Sequence, residues 1–341
     1  MIDNWTIGEL DRLLESHFSL RYRTVIPVLG MPVTFETDAA EVITLAEESF
    51  GAWRCLESTP EWVAPVGPTI RVVVRQGSEG SDSHAPLRHE LPRQRRMTIT
   101  TPGSRAIADA ECNRAAAVVT ETLLADRSHF RYGMLESLAF FLLSWQDRQP
   151  IHAAALLRDG KAVLLAGPSG VGKSTLAYAG LRTGLQVLAE DVVYLQSRPR
   201  LRVWGTPGFL HLPPDSARYF PELAELQPTL RANGKLKIAI DVAAVGAVPP
   251  LPVVDRVSVC LLRRGGSGPG LQELAATEVE QALVTDIEPG FDMFAEMIGP
   301  VIRKVVQSAM GWQLDLTDHP QTAVQYLRRV LDELDDLQEL P

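Results

Sequence analysis

The chain has 341 residues, enough for two domains or one large one, which excludes a small disulfide-stapled scaffold. Hydrophobic residues at 45% and charged residues at 22% exclude global disorder and a membrane-embedded chain. With 33 Lys and Arg against 42 Asp and Glu, the formal charge of −9 repels polyanions, so nucleic acid is not expected as a partner.

The first residues carry Asp3 and no basic segment followed by an apolar one, so no cleaved secretory leader is expected. Thr24 to Thr37 is rich in Val, Ile, Thr and Phe, and is broken by Pro27, Gly30 and Pro32. That pattern predicts two short strands with a turn near Gly30. Asp38 and Glu41 mark a helix start, with apolar residues at helical spacing from Val42 to Trp53. A strand is expected over Thr69 to Arg75, and a loop over the polar segment Gln76 to Arg96, whose Arg93, Arg95 and Arg96 read as solvated surface. Strands are predicted at Met97 to Thr100 and Ala115 to Thr120, then an apolar helix from about Phe130 to Trp145. The strongest apolar stretch, Leu138 to Trp145, falls far short of the roughly 18–20 residues needed to span a bilayer, so no membrane partner is expected. Cys55, Cys112 and Cys260 lie too far apart for a disulfide framework or a C-x-x-C metal site, which fits a reducing, cytoplasmic compartment.

Ile151 to Leu157, Asp159-Gly160 and Lys161 to Ala166 read as a β-hairpin. It leads into Gly167-Pro168-Ser169-Gly170-Val171-Gly172-Lys173-Ser174-Thr175, which satisfies G-x-x-x-x-G-K-[ST] and precedes a helical pattern from Lys173 to Arg182. Gly167, Gly170 and Gly172 remove Cβ atoms where the backbone must curl, so that successive N–H groups, including those of Ser169 and Val171, point at phosphates. Lys173 would place its charge on the β- and γ-phosphates and Ser174 would offer its hydroxyl to Mg²⁺, with Thr175 completing the cradle. The cofactors expected are therefore ATP and Mg²⁺.

Leu185 to Ala189 reads as a buried strand ending in Glu190-Asp191, at the strand end where ligands of α/β sheets collect. One carboxylate can hold Mg²⁺ while its neighbour accepts a proton from an incoming hydroxyl. A helix cap or surface turn is the competing reading. His152, on the strand before the loop, reads either as a phosphate sensor or proton relay, or as a satisfied core histidine.

These residues resemble the HPr kinase/phosphorylase family and its wider set of HPr-kinase-related bacterial proteins. That family has a His on the strand before the loop, then G-x-S-G-x-G-K-S, a helix, a Gly and an Asp-Asp pair about seventeen residues past the lysine. Here His152, Gly167 to Ser174, Gly184 and Glu190-Asp191 occupy those places, with Glu190 seventeen positions after Lys173. The resemblance covers roughly residues 148 to 240. It implies a P-loop sheet domain shared with phosphoenolpyruvate carboxykinase, and transfer of a nucleotide's γ-phosphoryl group to a serine hydroxyl. By the same resemblance Lys173 and the loop hold the β- and γ-phosphates, Ser174 and Asp191 serve Mg²⁺, and Glu190 stands at the general-base position. Three departures set the chain apart from HPr kinase proper: Glu190 replaces an Asp, Thr175 stands where that enzyme has Glu, and its later glycine-rich signature has no counterpart.

Arg231 to Lys237 is a basic, turn-like segment before an apolar strand, resembling a Gly-Lys element of related kinases. Lys235, ahead of Lys237, is the candidate to neutralise the transferred group, and a solvated basic hairpin is the alternative. Trp204 to Phe209, with His211 nearby, mixes turn formers with aromatics and reads as a hydrophobic loop anchor or the border of an acceptor site. Beyond Val253 the pattern predicts a strand at Val257 to Leu262, a loop at Gly265 to Gly270, helices near 277–285 and 291–309, a strand at Gly311 to Leu316 and a last helix from about Gln321. Its stripe of Val324, Leu327, Val330, Leu331, Leu334 and Leu337 is expected to pack on its own domain, a subunit contact being the alternative. The expectation is an α/β protein with an α+β N-terminal domain over 1–145, a candidate for acceptor binding, and a P-loop, HPr-kinase-like catalytic domain over 146–341. Its partners would be a nucleotide and a hydroxyl-bearing acceptor, with peptide or protein serine ahead of a small molecule. The resemblance also leaves room for a homo-oligomer. A regulatory P-loop ATPase is the rival from another class.

Overall fold

The computed structural model divides into two compact units, Met1–Arg148 and Gln149–Pro341. The structure describes Gly8 and residues 19–76, 86–93, 95–206, 208–230, 234–242, 244–245, 251–265, 270–287, 291–316 and 319–336.

In the first unit β1 (Tyr22–Val28) and β2 (Met31–Thr37) form the expected hairpin, turned by Leu29 and Gly30 at φ 50 and 72°. Helix α1 (Ala40–Phe50) ends three residues before the expected limit and continues as a 3₁₀ turn, Gly51–Ser58. Asp38 does not cap it: its carboxylate accepts the Val74 amide at 3.0 Å and so ties the helix start to β3 (Thr69–Arg75). The expected loop over Gln76 to Arg96 is corrected. Arg88–Arg93 forms β4, paired antiparallel with β5 (Arg96–Thr101) at the edge of the sheet. A charge-rich edge strand lacks the apolar alternation by which strands are read. Residues 77–85 and Gln94 of that segment lie outside the described residues. β6 (Ser104–Asp109), a strand the sequence pattern does not predict, and β7 (Arg114–Thr120) complete a sheet ordered β1-β2-β3-β7-β6-β5-β4.

The chain then runs through α2 (Glu121–Ala125), α3 (Arg127–Phe130), a π-helical stretch (Arg131–Glu136) and α4 (Ser137–Ser144). Phe50 stacks on Phe35 with ring centres 5.4 Å apart and meets Phe140 edge-on at 5.9 Å, which ties both helical segments to the sheet. Among the described residues, no helix is long and apolar enough to cross a membrane.

In the second unit β8 (Gln149–Arg158) and β9 (Lys161–Ala166) form the predicted hairpin. Then come α5 (Lys173–Arg182), β10 (Gln186–Ala189), β11 (Val192–Gln196), β12 (Arg202–Trp204), β13 (Phe209–Leu212), β14 (Thr229–Leu230) and β15 (Leu236–Asp241). They are followed by β16 (Val253–Val254), β17 (Arg256–Arg263), β18 (Gly270–Leu274), α6 (Ala276–Thr285), α7 (Ala295–Ser308), β19 (Met310–Asp315) and α8 (Pro320–Asp336). The main sheet is ordered β16-β12-β11-β8-β9-β17-β19-β18, with β10 also paired to β8 and with β9, β17 and β19 parallel.

Alternate residues of the central strands, including Leu156, Leu165, Leu262 and Leu314, form one core with α5 and α8. On the other side α6 and α7 pack on each other and on the sheet, giving three layers. The α8 stripe from Val324 to Leu334 is buried in this core, each such side chain contributing about 1.5–3 kcal/mol. Its fate is packing within its own unit; Leu337 lies outside the described residues.

Candidate functional site

Strand register builds the site. The parallel strands β17 and β19 end level and β9 ends two residues earlier, so Gly167, Arg264 and Leu316 leave the sheet at one edge, where α/β proteins hold ligands. β8 runs the other way, and its Ala153 faces Ala166, which puts His152 one position beyond the end of β9. β10 and β11 pair in turn with the two halves of β8, leaving Glu190-Asp191 between them at that same edge. The register shifts between Val187 and Ala189, a bulge that re-aims the acidic pair just beyond it. Gly205 makes room for it: a Cβ there would lie 2.0 Å from the Leu188 carbonyl oxygen.

The loop from Gly167 to Gly172 curls through three left-handed glycines, at φ 139, 82 and 125°. Lys173 opens α5 and is almost fully buried; its Nζ folds back to donate to the carbonyl oxygens of Gly167 at 2.6 Å and Pro168 at 3.4 Å. Arg264 braces the loop from β17, donating to the Val171 carbonyl at 2.8 Å. Thr175 meets Ser216 at 3.2 Å, and the Lys235 amine reaches the Ser169 hydroxyl at 3.3 Å.

The two adjacent carboxylates point into different surroundings. Glu190 is buried, accepting from the Ser174 hydroxyl at 2.8 Å and from His211 Nδ1 at 3.0 Å. Asp191 is largely exposed and takes His152 Nε2 at 3.0 Å. The His152 hydrogen bond, reinforced by the charges of His152, Lys173 and Lys237, holds the Asp191 carboxyl below the usual carboxylate range, against the partial loss of solvent around it in the cleft. Lys237 itself donates to the His211 carbonyl at 3.2 Å.

The predicted residues Gly167 to Thr175, His152, Glu190, Asp191 and Lys235 are thus brought to one cleft edge. His152 is nearly buried with its Nε2 engaged by Asp191, an arrangement compatible with both a proton relay and a satisfied core histidine. Arg231 to Asn233 lie outside the described residues. Trp204 is a buried anchor hydrogen-bonded to Gln196 at 2.8 Å, whereas His211, two residues past exposed Phe209, turns onto Glu190. Sequence reasoning missed Arg264 and Ser216. Arg264 carries a signal, since it follows a buried strand at its carboxyl end, while Ser216 lies on a 3₁₀ turn, Pro214–Arg218, with none.

For a divalent metal, the donor set at Ser174 and Glu190 is chemically apt: a hydroxyl and a carboxylate, both hard oxygens. Mg²⁺ commonly uses one or two protein oxygens and completes its shell with water and phosphate. Among the described residues, no cluster of three or more His, Cys, Asp or Glu forms a metal site of its own.

No family model matches the sequence, and no curated protein matches it. Among solved structures, the HPr(Ser) kinase/phosphatase from Coxiella burnetii is similar to this chain at 15% sequence identity and a TM-score of 0.32, over 55% of this chain and 99% of that one.

Proposed function

We propose that the chain is a phosphotransferase that moves the γ-phosphoryl group of ATP to a hydroxyl, with a serine of a peptide or protein favoured as the acceptor. The observation that carries this reading is the Gly167–Ser174 loop between β9 and α5, with Lys173 curled over it and Ser174 joined to Glu190. Phosphate oxygens would replace the two carbonyls now holding the Lys173 amine, and the loop N–H groups and the helix N-terminus would receive the remaining charge. Ser174 and Glu190 would hold Mg²⁺, which when bound offsets charge on the β- and γ-phosphates.

The resemblance gave the metal to Asp191 and the base to Glu190; the distances favour the exchange of those roles. Asp191 is exposed, ionised at neutral pH and oriented by His152, so its carboxylate can take the acceptor's proton. In that step the acceptor oxygen forms a bond to the γ-phosphorus as the bond from that phosphorus to the bridging oxygen breaks. ADP departs, and the proton passes to Asp191. Lys235 and Lys237 would steady the transferred group.

The test is label transfer from γ-labelled ATP with Mg²⁺ into a host extract with its small-molecule pool restored, with Lys173→Ala as control. Lys173-dependent label in a macromolecule or an organic phosphate is the expected result. Label found only as free phosphate would turn the reading to an ATPase.

A further inference from the structure

Beside the polar cleft lies a second space in the same unit, a chamber of about 750 Å³. That is within the roughly 300–1,000 Å³ range of pockets that enclose a drug-sized ligand. Its walls include Ile151, Leu261, Ala282, Leu283, Ile287 and Phe291, and Gly167, Pro168 and His152 of the polar site also line it. We propose that this chamber binds the acceptor, and that the acceptor presents its reactive hydroxyl, a peptide serine included, on a predominantly apolar segment that is uncharged or cationic. The inference rests on the phosphotransferase reading and names the substrate class for it.

Three observations place the acceptor here. The Lys173 amine reaches back to the Gly167 and Pro168 carbonyls, so the β/γ end of a nucleotide on this loop lies at the loop's start, next to the chamber. The other end of the loop, Gly172 and Thr175, borders a narrow crevice with Tyr219, Arg264 and Leu316, where the nucleoside end would extend. His152 lines both the chamber and the polar cleft and holds Asp191, so a hydroxyl presented past His152 arrives beside the group that takes its proton.

Charge narrows the class further. Arg263 on the wall is tied by two bonds of 2.7 and 2.9 Å to Asp315 and His152 to Asp191, whereas Glu278 and Asp286 add negative charge to the same wall. An anionic acceptor would be repelled there.

The experiment uses the full chain with Ala282→Phe, which adds a ring to the chamber wall from α6, and with exposed Asp286→Lys, which reverses a wall charge. Labelled products from host extract are separated by reversed-phase chromatography, while affinities are measured for a fluorescent N-methylanthraniloyl ATP and for Nile red, an uncharged apolar probe. The expected product is retained on the reversed phase. Ala282→Phe should lower both its formation and Nile red affinity at least tenfold and leave nucleotide affinity within twofold. Asp286→Lys should lower labelling of a cationic acceptor severalfold, or leave that of an uncharged one unchanged. A freely polar product formed equally well by Ala282→Phe overturns the acceptor assignment while the kinase reading stands. Nucleotide affinity lost in Ala282→Phe also overturns it, because the chamber then holds the nucleoside. Failure of the phosphotransferase reading itself looks different: no Lys173-dependent label in any acceptor, with Nile red still bound.

Discussion

The first unit and the surroundings of the Gly167 loop hold charge in different ways. In the first, three carboxylates are locked by arginines: Glu47 by Arg54 with a 2.7 Å bond from Nε, Glu36 by Arg71 at 2.9 Å, and Asp109 by Arg96 at 2.8 and 3.3 Å. Around the Gly167 loop of the second unit, Glu190 is held by a serine and a histidine, Asp191 by a histidine, and Lys173 by backbone carbonyls. A guanidinium is permanently charged and matches a carboxylate at two points, so such pairs are fixtures. Hydroxyl, imidazole and carbonyl partners are singly bonded and can be exchanged for a phosphate, a metal or a substrate proton. The acids are of the same types in both sets; what marks the second set as chemically usable is the exchangeability of its partners.

The sharpest way to break this contrast is Lys173→Ala. It should cut label transfer by about 1,000-fold or more, near 4 kcal/mol in the barrier, while the thermal midpoint hardly moves. A collapse of the melting temperature with little change in transfer per folded molecule would make Lys173 a structural group instead. The carboxylates come next. Asp191→Asn should lower turnover about 100-fold at saturating Mg²⁺ with the Mg²⁺ requirement unchanged. Glu190→Gln should instead raise the Mg²⁺ concentration for half-maximal rate about tenfold, or roughly 1.4 kcal/mol. The reverse pattern in a Mg²⁺ titration would restore the roles that the resemblance implies. A smaller effect, on folding, is expected for Gly205→Ala. The new methyl would meet the Leu188 backbone at the bulge two residues before Glu190, costing about 2 kcal/mol in urea unfolding. An unchanged unfolding midpoint would deny the bulge its supporting contact.

The parts of the site that a local pattern can carry are legible in the sequence: β9, the glycine loop, α5, and an acidic pair ending a buried strand. Which partner each acid takes is not legible, because it depends on the extra residue at Leu188, a register shift set by pairing with β8. Arg264 is signalled only by its place after the buried β17, and His211 arrives through the pairing of β13 with β15, which no spacing along the chain announces. In the first unit the failures have the same origin. β4 is an edge strand without apolar alternation, and Asp38 has the chemistry of a helix cap but is claimed by the amide of Val74.

The smallest expected effect tests the other side of the comparison, the permanence of the arginine pairs. Arg54 and, to a lesser degree, Thr24 hold the Glu47 carboxyl below its ordinary range, against a modest opposing effect of burial. Because the folded-state pKa is the lower one, the pair's contribution is fully present above the unfolded value of about 4.3 and is lost as pH falls through the folded value. The pair is about one-third exposed, so solvent screening limits it to about 0.5 kcal/mol. Glu47→Gln should therefore lower unfolding stability by that amount at pH 7. The gap from the parent should close on acidification through the carboxylate range, with label transfer unaffected throughout. Urea titrations of both proteins between pH 7 and pH 3 measure it; a gap that widened toward acid would mean that the Glu47 carboxylate is not stabilised by Arg54.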